Sequence, residues 1–453
     1  MASTYLTRTE SSGNRKTGTL SFWVKRNGLG NGSLNQYVYS NWNVSVGGYT
    51  SGLVQFSSTD KFEFSNYQES GTGTHTNLLT NRVFRDTSAW YHIVVNWDTT
   101  QATSSDRYKM YINGVQETSF QDANYPSLNE DLYFNIGGAS NPVVIGSNYG
   151  NSNYFDGSMS HYHWIDGTAY DASAFGEYDA NGVWTIKTSP SVTYGTNGFF
   201  ILKDGNSVTD QSGNGNNFTV AGGTLTNTED NPSNVFNCGN PLVPNTGTFY
   251  WGNTEWQCSS AESWQSAIMA TLGATSGKYY AEFKITGQSA DAVTRGYFGI
   301  ISENDLHKFQ SSLIGADSVS AIDDQISYGQ SGSIYKNTTS VTTQSTLALN
   351  DCVSIAMDLD NRFVYFAKNG VWQNSGVPTS GATGTGGISF TDNVAYFFAI
   401  GLYRSGKATA NFGNGYFAGS AVASAGTNAS GIGIFEYDVP TGYTALSTKG
   451  LNL

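Results

Sequence analysis

Two stretches of this chain, DRYKMYINGV at 106–115 and DLDNRFVYFAKNGVW at 358–372, carry the same local instruction. Upstream of the second, CVSIAMDLD places Val353, Ile355, Met357 and Leu359 at alternate positions, with Ser354, Ala356 and Asp358 between them. That is the period of a half-buried strand. Asp360-Asn361-Arg362 turns the chain, because Asp and Asn tolerate left-handed backbone and bond their own main chain. FVYFAK is rich in β-formers, and Asn369-Gly370 supplies the two positive φ angles of a type I′ turn. In the earlier copy WYHIVVNWD is the first strand, TTQATSSDR the connection, YKMYI the second strand and Asn113-Gly114 the turn. Two such units in opposite halves of the chain predict two β domains.

Length agrees with that division: 453 residues exceed the ~250–300 at which one hydrophobic core stops growing. The chain has 53 Gly, 28 Tyr, 25 Phe and 10 Trp, and no run of apolar residues at helical spacing. DASAFGEYD (171–179) is the best helical candidate and is barely two turns long. The expected class is all-β: two antiparallel β-sandwich domains. Strand-like segments run from TLSFWVKR (19–26) to GFFILKD (198–204) and resume with GKYYAEFKITG (277–287). Between them 222–247 is polar, contains Pro232, Pro241 and Pro244, and lacks alternation. The expected organisation is a sandwich over 1–221, a linker over 222–261, and a second sandwich with a C-terminal tail over 262–453.

Charged residues make up 13% of the chain, against ~25% in ordinary domains. The surface must therefore be largely Ser, Thr, Asn, Gly and Tyr hydroxyl, which suits neutral partners. A net charge of −13 disfavours nucleic acid and anionic membrane, both of which need a basic face. No stretch approaches the ~18 apolar residues of a membrane span, and MASTYLTRTESSGNRKTGTL has no apolar segment of a signal peptide. Cys238, Cys258 and Cys352 cannot form a full disulfide framework; free buried thiols are the expectation, a Cys238–Cys258 bridge the alternative.

TLSFWVKR, SAWYHIVVNWDTTQATSSDRYKMYINGVQ and YFDGSMSHYHWIDGTAYDASAFGEYDANGVW resemble the laminin-G-like, concanavalin-A-like jelly roll, in the form common among virion proteins of tailed, especially marine, bacteriophages. The resemblance covers roughly residues 3–220. The second half resembles a SPRY-type sandwich over roughly 262–418, through SGKYYAEFKITG, YFGIIS, DCVSIAMDLDNRFVYFAKNGVW and YFFAIGLYRSGKATANFG. Phage proteins joining these modules often close on a Pro-x-Gly-[Phe/Tyr]-x-Ala-Leu pattern, here PTGYTAL at 440–446. Fold resemblance alone does not assign function.

Glycoside hydrolases of the concanavalin-like fold place carboxylates on alternate residues of one strand, facing the sugar together. No Glu-x-Asp-x-Glu pattern occurs; the nearest, SENDLHK with Glu303, Asp305 and His307, reads as a polar strand end. His161 and His163 also alternate near Asp156 and Asp166, but no third ligand accompanies them. His92, inside WYHIVV, reads as a satisfied strand residue. DQSGNGNNF (210–218) holds one carboxylate and reads as a turn in preference to a calcium loop. No Gly-x-Ser-x-Gly elbow or phosphate loop is present. No catalytic residue, metal or cofactor is expected.

Sugar binding is the chemistry the residues favour. Aromatic faces stack on pyranose rings while amides and hydroxyls bond the sugar oxygens. NWNVSVGGYTSG (41–52), YGNSNYFDG (149–157) and TFYWGNTEWQ (248–257) combine both, which makes Trp42, Tyr49, Tyr149, Tyr154, Trp251 and Trp256 the candidate ligand-binding residues. The resemblance implies a virion protein, assembled in a host cytoplasm, that attaches to a host-surface glycan as a fibre or fibre-tip adhesin. The alternative is a non-catalytic capsid decoration or tail-assembly protein. The first sandwich begins almost at Met1 with no heptad stalk before it, which favours a short appendage, tip or decoration over a complete fibre. Partners are other virion proteins and copies of itself, a trimer favoured.

Overall fold

The computed structural model describes residues 3–30, 34–43, 50–68, 75–138, 141–148, 152–203, 205, 207–242, 247–258, 266–287, 296–305, 325–337, 339–391, 393–403 and 405–452. The chain divides into two compact units, Met1–Asn227 and Thr228–Leu453. Both are antiparallel β-sandwiches, and among the described residues the only helical pieces are short 3-10 turns. The helical candidate at 171–179 is one of these. Asp171 accepts the Ser173 amide to start a single turn at Ala172–Ala174, and Gly176–Tyr178 then runs on as a strand.

In unit 1 an eight-stranded sheet has the order Phe120–Asn124, His75–Val83, Lys61–Gln68, Thr50–Phe56, Gln36–Asn43, Val143–Ile145, Tyr5–Arg8, Thr219–Gly222. It faces a six-stranded sheet of Phe199–Ile201, Gly157–Asp166, Thr17–Arg26, Tyr91–Asp98, Tyr108–Ile112 and Val115–Gln116. Alternation fills the space between them. Val54, Phe56, Phe62, Phe64 and Leu78 come from one sheet, and Leu20, Phe22, Val24, Ile93, Val95 and Met110 from the other. Aromatic rings lock the centre: Tyr39 stacks on Trp164 at 4.7 Å and Phe64 on Phe134 at 4.8 Å. Each such side chain contributes roughly 1.5–3 kcal/mol by leaving water.

The six-stranded sheet is buried on its outer face too. Residues following Asp166 fold back across it, so that Tyr170, Ala172, Phe175, Trp184, Val192 and Tyr194 form a third layer packed on the sheet's Val94 and Ile165. This explains why strand Thr17–Arg26 is buried at nearly every position although its apolar residues alternate.

Unit 2 repeats the plan. One sheet runs Thr248–Tyr250, Glu255–Gln257, Lys407–Asn411, Lys278–Gly287, Cys352–Asp358, Phe363–Lys368, Val371–Trp372, with Ile388–Ser389 and Thr444–Ala445 attached beside it. The other runs Ser266–Ala274, Tyr396–Leu402, Gly296–Ser302, Gln325–Gly329, Ser333–Lys336, Thr339–Thr343. The outer face of the first sheet is again covered, here by Phe435, Val439 and Tyr443 packing on Tyr280, Ala356 and Tyr365. Residues 228–258, within the expected linker, contribute to this unit: two strands join its sheet, Trp256 and Cys258 enter its main core, and Phe236 packs into the covering layer. Each unit also pairs its first described segment with its last. Tyr5–Arg8 bonds Thr219–Gly222, and Phe236 bridges Ser447.

The two opening hairpins match down to their hydrogen bonds. Asn113 and Asn369 both have φ of 48°, and Gly114 and Gly370 have 81° and 80°. Each Asn also clasps the start of the preceding strand. The His92 amide donates to Asn113 Oδ1 at 2.8 Å and the Cys352 amide to Asn369 Oδ1 at 2.8 Å. In return the Asn113 and Asn369 amides donate to the carbonyls of His92 and Cys352. All three cysteines are buried, as thiols.

Candidate functional site

Strand Lys61–Gln68 sends Phe62 and Phe64 into the core and leaves Glu63, Ser65 and Tyr67 with the opposite parity. Antiparallel register carries that parity to the neighbours. Gln55, Leu53 and Ser51 lie opposite Glu63, Ser65 and Tyr67 on one side, and Leu79, Asn77 and His75 on the other. Asp122 and Asn124 continue the rows onto the next strand. The outer face of the eight-stranded sheet thus combines amides, hydroxyls, an imidazole, the carboxylates of Glu63 and Asp122 and the Tyr67 ring, with Leu53 and Leu79 among them.

These groups hold one another in place. Gln55 Nε2 donates to Glu63 Oε2 at 2.6 Å and Asn77 Nδ2 to Glu63 Oε1 at 3.3 Å. Asn124 Nδ2 donates to Asn77 Oδ1 at 2.8 Å. Ser65 Oγ and His75 Nε2 are 2.9 Å apart, and the His75 ring meets Tyr67 at 5.6 Å nearly edge-on. Two buried acceptors on the same face, Ser51 Oγ and Gln55 Oε1, have no hydrogen-bond partner. An unpaired buried group of this kind costs about 1–3 kcal/mol.

The geometry argues against familiar hydrolytic machinery. Ser65 and Glu63 both approach His75 through the same nitrogen, Nε2, the carboxylate at 3.8 Å. A triad needs nucleophile and orienting acid on opposite ring nitrogens. Asp122 lies two strands from Glu63, beyond Leu79, roughly 10 Å in strand spacing and about twice the ~5 Å of a retaining carboxylate pair. A second Ser–His contact, Ser21 Oγ to His92 Nε2 at 2.9 Å, is also unsuited. Trp184 Nε1–H donates to His92 Nδ1 at 3.0 Å, so the neutral ring carries its proton on Nε2 and cannot take one from Ser21. Burial brings the His92 pKa down to about 3.

Groups singled out as metal candidates have structural partners. His161 Nδ1 meets Ser160 Oγ at 2.8 Å, His163 Nδ1 meets Tyr194 OH at 2.9 Å, and both rings lean on Phe200. The strand bulges between Ser160 and His163, with His161 at a φ of 48°. Asp210 accepts from the amides of Phe200, Ser212 and Asn216 and from Ser212 Oγ, so its loop is closed on itself. Among the described residues no group of three or more His, Cys, Asp or Glu could hold a metal. Glu303 accepts the Ala395 amide, while His307 lies outside the described residues. Glu282, not singled out from sequence, is fully buried and burial raises its pKa to about 7. Its oxygens accept the amides of Glu436 and Tyr437, Tyr280 OH and Asn411 Nδ2, which pins the covering segment to the sheet of unit 2.

Of the six residues expected to bind ligand, Trp42 stands opposite Ser51 in backbone register. Tyr49 and Tyr149 lie outside the described residues. Tyr154 bridges Tyr37 and its ring lies 6.3 Å from Tyr5. Trp251 is 48% exposed on a turn of unit 2, at a φ of 54°. Trp256 is 1% exposed and packs into the main core of unit 2, so it is a core residue and not a stacking platform. The residues that sequence reasoning missed are Gln55, Glu63, Ser65, Tyr67 and Asn77. Their signal was the polar parity of SGLVQF, KFEFSNYQ and HTNLLT, readable once the strands are paired.

Residues 1–172 match a laminin-G-type family model described as the concanavalin A-like lectin/glucanases superfamily. Among solved structures the SPRY domain of human HERC1 matches at 18% identity and a TM-score of 0.29, over 38% of this chain and 96% of that one. The TRIM65 PSpry domain matches at 9% identity and 0.26, over 39% and 91%. The heptameric SAP-like pentraxin from Limulus polyphemus matches at 15% identity and 0.25, over 37% and 71%. Among curated proteins none matches. The chain is therefore an all-β protein of two antiparallel sandwiches, its first 172 residues matching the concanavalin A-like lectin/glucanases model.

Proposed function

We propose that this is a non-catalytic glycan-binding protein that serves host attachment in a tailed-bacteriophage virion, with the outer face of the eight-stranded sheet of unit 1 as its binding surface. The observation that carries the binding role is the Gln55–Glu63–Asn77–Asn124 ladder of mutually oriented amides around one carboxylate. A sugar offers hydroxyl donors to the partly exposed Glu63 carboxylate, and Tyr67 supplies an apolar ring. The match to a lectin-type family supports a ligand-binding module. The virion setting rests on the order of the two modules, which resembles that of phage appendage proteins. Weak single-site affinity would gain from several copies on one appendage, which is the reason to favour a homotrimer.

The test is binding of the full chain to a panel of bacterial surface polysaccharides, with Glu63→Gln as the probe of the face. A hydrogen bond to a charged group contributes ~1.5–3 kcal/mol, so affinity should fall at least about tenfold. Undiminished binding by Glu63→Gln would remove the face from the proposal. Release of reducing ends above a buffer control would remove the non-catalytic reading.

A further inference from the structure

We propose that unit 1 carries a second ligand pocket, on the side of its opposite sheet, that takes the ring of a neutral pyranose. It shares the ligand class of the reading above but none of its residues. The pocket has a volume of about 360 Å³ and lies between the hairpin Gly176–Tyr178/Trp184–Ile186, the start of the covering layer, and the turn after strand Tyr108–Ile112. That is the lower end of the ~300–1,000 Å³ of small-molecule sites and suits one or two sugar rings.

Its aromatic walls are fixed in advance. Trp184 is tied by its Nε1–H to His92 Nδ1, so the indole cannot swing away. Gly114 and Gly176 lie directly against that indole, and a Cβ at either position would clash with it. Tyr178 stands 4.9 Å from Trp184 at 70° and is 54% exposed, giving a corner of two rings held at a set angle. A platform that loses no rotamer freedom on binding wastes none of the contact energy on ordering itself.

The polar groups select against an anionic ligand. Lys187 Nζ donates to the Ser173 carbonyl at 2.8 Å and lies 3.7 Å from Glu177, so ammonium and carboxylate offset each other. Asp171 uses Oδ1 for the Ser173 amide and hydroxyl, leaving Oδ2 as an acceptor. An anionic ligand would meet two carboxylates, with only one ammonium, itself already engaged, to answer it. Hydroxyls, which donate and accept, can use all three, while the ring's C–H face rests on the aromatic corner.

The experiment is saturation-transfer NMR on the full chain with methyl glycosides of glucose, galactose, mannose and N-acetylglucosamine at millimolar concentration, each titrated for affinity. Wild type should transfer saturation to at least one glycoside. Tyr178→Ala should weaken that binding by up to about tenfold, the scale of one aromatic contact. Tyr178→Phe should restore it, and Glu63→Gln should leave it intact. Absence of transfer in wild type, or unchanged affinity in Tyr178→Ala, overturns the pocket. Loss in Glu63→Gln with retention in Tyr178→Ala places the sugar on the eight-stranded sheet alone, which refutes the pocket and leaves the first reading standing.

Discussion

Unit 1 buries titrating groups that act in opposite directions, His92 and Glu10 among them, and lowering the pH from 7.5 to 5 should separate them. His92 is 1% exposed, with both ring nitrogens already engaged, Nε2 toward Ser21 and Nδ1 accepting from Trp184. Protonation would set a new Nδ1–H against the indole N–H. Its pKa is about 3 folded against 6.5 ordinarily, so acid favours the unfolded chain from pH 6.5 downward. By pH 5 the loss is about 2 kcal/mol. Glu10 runs the other way. Its carboxylate is 4% exposed with neither oxygen hydrogen-bonded, and burial raises its pKa from 4.5 to about 7. The folded state then binds a proton before the unfolded state does, so acidification between pH 7 and 4.5 stabilises, again by about 2 kcal/mol at pH 5. Within wild type the two oppose each other, and His163, whose pKa burial also lowers, adds to the loss on acidification. Urea unfolding of the full chain, followed by tryptophan fluorescence at both pH values, reads the difference. His92→Gln should gain about 2 kcal/mol on acidification relative to wild type, roughly 1 M in urea midpoint, and Glu10→Gln should lose as much. A pH response of His92→Gln parallel to that of wild type would falsify the assignment.

Two further outcomes are expected. Asp60 accepts from Arg26 at 3.0 Å, from Arg85 at 2.9 Å and from the Gly30 amide, and the Arg26 side chain is wholly buried. Asp60→Asn keeps a residue that tolerates its φ of 67° but strands the guanidinium, so it should cost ~3–5 kcal/mol in denaturant unfolding. Arg85→Ala, at an exposed partner, should cost under ~1 kcal/mol in the same assay. Light scattering at micromolar concentration should report a trimer; a stable monomer of 48.7 kDa would withdraw the multivalency argument and favour the decoration role.

How much of this was legible before folding depended on the range of the interaction. The Asn113-Gly114 and Asn369-Gly370 turns could be placed to the residue, because type I′ geometry is decided by two adjacent side chains. The alternation in CVSIAMD and FVYFAK likewise announced their strands. What escaped was long-range. The covering of the six-stranded sheet depends on residues 167–198 returning to it, and nothing local in TLSFWVKR distinguishes Trp23, 5% exposed, from a solvent-facing residue. Trp256 could not be told from a surface aromatic, since its strand is three residues long, too short to show a period. The polar face of unit 1 was missed because its members come from separate strands and become a site only through register.

The pairing of Tyr5–Arg8 with Thr219–Gly222 has a consequence for synthesis. The earliest strand of unit 1 waits for one of its two sheet neighbours until the last strand of the unit has left the ribosome. At ~5–20 residues per second that interval is on the order of ten to forty seconds. Throughout it Tyr5–Arg8 keeps an open edge, and an open edge pairs with whatever strand arrives first. On a polysome, neighbouring nascent chains are the nearest such strands. Strand exchange between copies is therefore the misassembly to which this sandwich is most exposed, and the brevity of its first strand, four residues, limits how much a wrong partner can gain.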